Sequence, residues 1–163
     1  LARQSLETYV RTGQKMPLPA DIPPELLEPA GAFVTLKKKG QLRGCIGTIL
    51  PTQKNLAAEI RDNAVSAGSR DPRFWPVAQE ELKDIVYSVD VLAPPEAVER
   101  LAQLDPKRYG VIVHGWGGRT GLLLPNLEGI DTAEEQVEIA KQKAGLGSRD
   151  QVRLERFEVK RYY

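Results

Sequence analysis

The alternation of apolar and polar positions predicts an opening helix, a strap without regular structure, and then strands and a helix in succession. Over residues 2 to 12, Leu6, Tyr9 and Val10 recur at helical spacing, and Gly13 stands where the helix would stop. From Met16 to Pro29 prolines break any regular pattern, so this stretch is expected to run extended, pinned through Leu18, Ile22, Leu26 and Leu27. The pattern then turns β: Phe33 to Leu36, a turn at Lys38-Lys39-Gly40-Gln41, and a returning strand from Leu42 to Thr48. Pro51 ends that hairpin. Leu56, Ile60, Ala64 and Ala67 draw an apolar stripe along a helix predicted over residues 53 to 68, with Gly68 as its stop. A loop dense in charge and aromatic surface follows, Ser69 to Pro76, and then a strand from Ile85 to Leu92 closed by Pro94-Pro95.

The second half repeats the first. Val34 and Val111 lie 77 positions apart, as do Leu36 and Val113, Gly40 and Gly117, Gly44 and Gly121, and the pairs Ala67-Gly68 and Ala144-Gly145. Ser69-Arg70-Asp71 recurs, two residues late, as Ser148-Arg149-Asp150. The repeated unit reads strand, turn, strand, helix, strand, and its second copy ends in the alternating run Val152 to Val159. The expected fold is therefore α+β: two related ββαβ units sharing a mostly antiparallel sheet covered by helices. Residues 1–163 read as a single domain, with helix and strap over 1–30, repeat one over 31–93 and repeat two over 109–163.

Composition narrows the class. The chain has 163 residues, enough to bury a core without a staple, and its single cysteine excludes an internal disulfide. The 23 basic and 22 acidic side chains nearly cancel, so net charge supplies no strong field for non-specific nucleic-acid binding; a local patch would have to do that. No apolar run spans a membrane, and the first residues read as an amphipathic helix rather than a signal peptide, which makes the cytoplasm the expected location.

The candidate chemistry gathers on Leu42-Arg43-Gly44-Cys45-Ile46-Gly47-Thr48. In a strand Arg43, Cys45 and Gly47 share one face, where a guanidinium stands two residues from a thiol and a position without a side chain lies beyond. Two readings meet at Cys45. It is either a nucleophile or covalent acceptor kept as thiolate by Arg43, or a packed thiol, as Leu122 at the equivalent place of the second repeat suggests. Arg70, Asp71, Arg73 and Phe74 are the candidate substrate-binding residues, a lip for a carboxylate or phosphate. The echo of Ser-Arg-Asp gives Arg70 and Asp71 an alternative role in a helix end, with Asp71 pairing an arginine. Phe74 and Trp75 are either ligand stackers or, more ordinarily, core aromatics. His114 is the only histidine, so a Cys/His mechanism would need it, yet its place at a strand end beside Gly115-Trp116-Gly117-Gly118 suggests solvent. One cysteine and one histidine fall short of a zinc set, and those glycines are not followed by the helix a dinucleotide fingerprint needs, so no metal or cofactor site is assigned. The tail Lys160-Arg161-Tyr162-Tyr163 is expected to fray, with single-stranded nucleic acid as its other reading.

Three motifs in order, Leu42 to Thr48, Asp71-Pro72-Arg73-Phe74, and Gly121-Leu122-Leu123-Leu124-Pro125 with Lys143-Ala144-Gly145-Leu146, make the chain resemble the AMMECR domain family, also called AmmeMemoRadiSam system protein A. The resemblance implies a compact, internally duplicated α+β domain. It also implies two companions, a Memo protein similar to extradiol ring-cleaving dioxygenases and a radical S-adenosylmethionine enzyme, and with them an enzymatic or supporting role in modifying a biomolecule. The competing expectation is a non-catalytic binding module for a nucleotide, an RNA or a partner protein.

Overall fold

Each ββαβ run builds a sheet of its own. The computed structural model describes all 163 residues. In chain order the elements are α1 (Ala2–Thr12), β1 (Ala32–Lys38), β2 (Gln41–Thr48), α2 (Leu56–Ser69), β3 (Ile85–Leu92), β4 (Glu96–Val98), β5 (Gly110–His114), β6 (Thr120–Leu123), α3 (Ala133–Lys143), β7 (Arg153–Phe157) and β8 (Val159–Tyr162), with short 3-10 turns between some of them. The fold is α+β, as expected. The single shared sheet is not found: there are two four-stranded sheets, ordered β2-β1-β3-β8 and β4-β7-β5-β6. The chain forms two compact units, Leu1–Leu92 with Lys160–Tyr163, and Ala93–Val159.

The duplication is physical as well as textual. In both sheets the first strand of the repeat pairs antiparallel with the second on one side and the third on the other, and a fourth strand from outside the repeat lies beyond the third. Gly40 and Gly117 close the two hairpins with φ of 78° and 65°, a left-handed backbone that a side chain resists. Gly44 and Gly121 let helix lie on strand: a Cβ there would stand 2.2 Å from the Ala67 carbonyl oxygen in the first unit and 2.1 Å from that of Ala140 in the second.

In the first unit α1 and α2 cover one face of the sheet, burying Leu6, Val34, Leu36, Ile60 and Ala67 among others. Asn55 caps α2, its side chain accepting from the Ala58 N–H at 2.9 Å, so the helix begins at Leu56 rather than at 53. Glu59, 1% exposed, fastens the preceding loop. Its burial alone would raise the carboxyl's pKa, but hydrogen bonds from Thr48, Thr52 and Gln53 outweigh that and hold it below the ordinary value. In the strap Leu26 packs on the core, whereas Leu27 is 49% exposed and pins nothing. The second unit packs Val111, Val113, Leu123, Val137 and Ala140 in the same arrangement.

The run from Val152 to Val159 is not one strand. It ends at Phe157, breaks at Glu158 and re-enters the first sheet as β8, so the tail expected to fray is an edge strand. Arg161 on β8 holds the buried Asp90 of β3 with two hydrogen bonds, 2.6 and 2.9 Å. No helix is long and apolar enough to cross a membrane.

Candidate functional site

Strand alternation puts Gly44 against α2 and turns Cys45 to the other face of the first sheet. The register there lines up Cys45, Thr35 and Ser88 across β2, β1 and β3, a thiol followed by two hydroxyls. Cys45 is half-buried, and its Sγ lies 3.2 Å from Thr35 Oγ1. In the second unit the same row is Leu122, Ile112 and Glu155, with both aliphatic residues buried. The likeness of Cys45 to Leu122 is therefore one of position and not of surroundings. Gly47 serves packing: a Cβ there would stand 2.2 Å from the Phe33 ring, which occupies the space that the sequence left open to a ligand.

β2 is an edge strand, and at Cys45 the loop after α2 closes that edge. Asp71 Oδ2 accepts the Cys45 N–H at 2.9 Å, and the Arg73 guanidinium donates to the Cys45 carbonyl at 3.3 Å. Because that N–H points away from β1, Cys45 and Thr35 are a non-hydrogen-bonded pair, the kind that brings side chains closest. Asp71 is 4% exposed and also accepts from the Arg73 backbone and guanidinium at 2.7 to 3.1 Å. Arg73's hydrogen bonds first of all hold the Asp71 carboxyl far below the usual range, against the upward push of burial; the Arg73 pKa rises in return.

Arg43 is engaged elsewhere. A register shift between Leu36 and Lys37 interrupts the pairing beside it, and its guanidinium grips Glu81 with two hydrogen bonds, 3.0 and 2.9 Å. Lys38 Nζ reaches the same carboxylate at 2.8 Å. These bonds, Arg43's the strongest, lower the Glu81 pKa to about 2. Phe74 joins the two halves, with the Arg43 and Arg73 guanidiniums 5.9 and 5.5 Å from its ring centre. The result is one grid along the edge of β2, Lys38 and Arg43 paired with Glu81, Arg73 paired with Asp71, and the two arginines joined through Phe74.

A family model described as AMMECR1 matches residues 1–162. The chain belongs to the AMMECR1 family. A Thermotoga maritima protein is 57% identical over 161 residues, covering 96% of this chain and 91% of its own length. A Clostridium acetobutylicum protein is 51% identical over 99% of this chain, which spans only 35% of that longer relative. The crystal structure of the uncharacterised protein PH0010 from Pyrococcus horikoshii has a TM-score of 0.89 at 35% identity, covering 98% of this chain and 86% of that one.

Within this AMMECR1 chain the expected site residues divide. Arg43, Cys45, Asp71, Arg73 and Phe74 come together, but the guanidinium beside the cysteine is that of Arg73 and not Arg43, and both arginines are already paired. Arg70 is exposed and outside the grid. The Ser-Arg-Asp echo is not a shared role, since Asp71 reaches β2 while Asp150 accepts the Gly147 N–H of its own loop. His114 does not point freely into solvent: it is half-buried in the second unit and bonded to Glu155 at 2.6 Å. Of the two readings of Trp75, ligand stacker or core aromatic, the core is excluded, since the residue is 89% exposed. Glu81 escaped the sequence reading because it sits in the polar run Gln79 to Asp84, where nothing local marks it. A cavity of about 560 Å³ in the first unit is lined by α1, β3, Tyr162 and Tyr163, away from the cysteine. No group of three or more His, Cys, Asp or Glu side chains is placed to hold a metal ion.

Proposed function

We propose that this chain is an accessory component of a biomolecule-modification system, working with Memo-like and radical S-adenosylmethionine proteins, and that Cys45 is the group it presents. The observation carrying this is the fastening of Cys45: a buried carboxylate holds its N–H and a guanidinium its carbonyl, while the side chain faces away from the core. The supporting role is favoured over a complete active site because the only histidine is bonded to Glu155 and both nearby arginines are spoken for by carboxylates. A thiol fixed in this way suits a ligand or an acceptor for a group that a companion delivers.

The test has two readouts. Iodoacetamide should alkylate Cys45 in the native protein, and Cys45→Ala should remove the product of a system reconstituted with both companions. A thiol inert until denaturant is added, or a product yield unaffected by Cys45→Ala, would end this reading.

A further inference from the structure

Trp75 is the feature that the grid does not use. Phe74 has two guanidiniums, 5.9 and 5.5 Å from its ring centre, and Trp116, the other indole, is covered by Arg119 at 4.2 Å; Trp75 has no cation over its ring and is 89% exposed. Exposed prolines, Pro72 and Pro76, bracket the segment that carries it. Three cations of the same unit are likewise exposed and without a partner: Arg70 at the start of this loop, and Lys37 and Lys39 at the hairpin turn. The grid joins the two places, since Arg73 ties the loop to Cys45 and Arg43 and Lys38 share Glu81 with the turn.

We infer that this edge of the first unit docks single-stranded nucleic acid, Trp75 stacking on a base while Arg70, Lys37 and Lys39 hold backbone phosphates. A bare indole accepts any base through its π-face, and separated cations suit a polyanion. A mononucleotide fits less well. The two arginines of the grid, Arg43 and Arg73, are neutralised by Glu81 and Asp71, so they leave no phosphate clamp and affinity has to accumulate along a chain. The inference rests on the proposed role only in naming what would be brought to Cys45; its own support is the loop and the turn.

With Trp116→Phe as background, Trp75 is the only indole, and its fluorescence reports binding directly. Fifteen-residue oligouridylate and oligothymidylate are titrated at about 50 mM salt. Quenching by both is the expected result; quenching by the ribo-oligomer alone assigns the site to RNA, and by the deoxy-oligomer alone to DNA. Three phosphate contacts on a single strand predict about a 20-fold loss of affinity on going to about 200 mM salt, and Lys37→Ala with Lys39→Ala should flatten that slope by roughly two-thirds. Trp75→Ala, followed with a labelled oligomer, should weaken binding by about tenfold. No quenching at about 100 μM oligomer, heparin binding as tightly as the oligomers, or an unchanged salt slope in the lysine variant would overturn the inference. Iodoacetamide labelling in the same samples separates the two ideas: an alkylated Cys45 without oligomer binding removes only the docking surface, and oligomer binding with an inert Cys45 removes only the thiol's role.

Discussion

At the scale of the residue, the acids Asp71 and Glu81 organise the candidate site more than the arginines that drew attention to it. Each is a carboxylate with several charge-assisted donors, and such bonds are stronger than neutral ones. Glu81→Gln removes the charge that Arg43 and Lys38 share, and about 2 kcal/mol of stability should go with it at pH 7. The pH dependence has a definite sign. A carboxyl lowered from 4.5 to about 2 stabilises the fold fully above about pH 4.5 and loses that contribution as pH falls toward 2. The gap in melting temperature between wild type and Glu81→Gln should therefore narrow from pH 5 to pH 2.5, and a constant gap would show that Glu81 is not ionised through those bonds. Cys45 and the 71–74 motif were legible as candidates in the sequence. Their pairing was not, because Arg43 meets Glu81 across 38 positions of chain and sequence spacing says nothing about such a meeting.

At the scale of the element, strand β2 is shaped by what cannot have a side chain. Gly44→Ala and Gly121→Ala each press a methyl against a helix carbonyl, an obstacle that moves only if the helix moves, and each should cost about 3 kcal/mol. Gly47→Ala meets the Phe33 ring at 2.2 Å and, less closely, the Ala32 carbonyl oxygen at 2.6 Å. It should cost about 2 kcal/mol, less than the other two because the backbone obstacle is farther off, and Phe33→Leu in the same chain should recover only the ring's part of the loss. Denaturant midpoints of the three variants test this order; Gly47→Ala as damaging as Gly44→Ala would contradict it. The 77-residue repeat had singled out Gly44 without giving its reason, and the helix backbone lying over it supplies one.

At the scale of the whole molecule, the chain closes the first sheet with its last strand. Arg161→Ala strands the Asp90 carboxylate, 2% exposed, without its partner, at a cost of about 3 to 5 kcal/mol. Amide exchange should quicken in β1 and β3 while β5 and β7 keep their protection; equal loss in both sheets would mean that the two units open together. What the sequence by itself determined was the order of the helices and of the strands within each repeat, the α+β class, the duplication and the face on which Cys45 stands. Each of these is written in short-range periods, two for strands and 3.6 for helices, and in a repeat that compares the chain with itself. What only the tertiary structure decided was the splitting of the β structure into two sheets, the use of the tail as an edge strand, and the choice of Arg73 over Arg43 beside the thiol. Those depend on strand edges and on partners far apart in sequence, 71 positions for Asp90 and Arg161, which meet only when the backbone has already been placed.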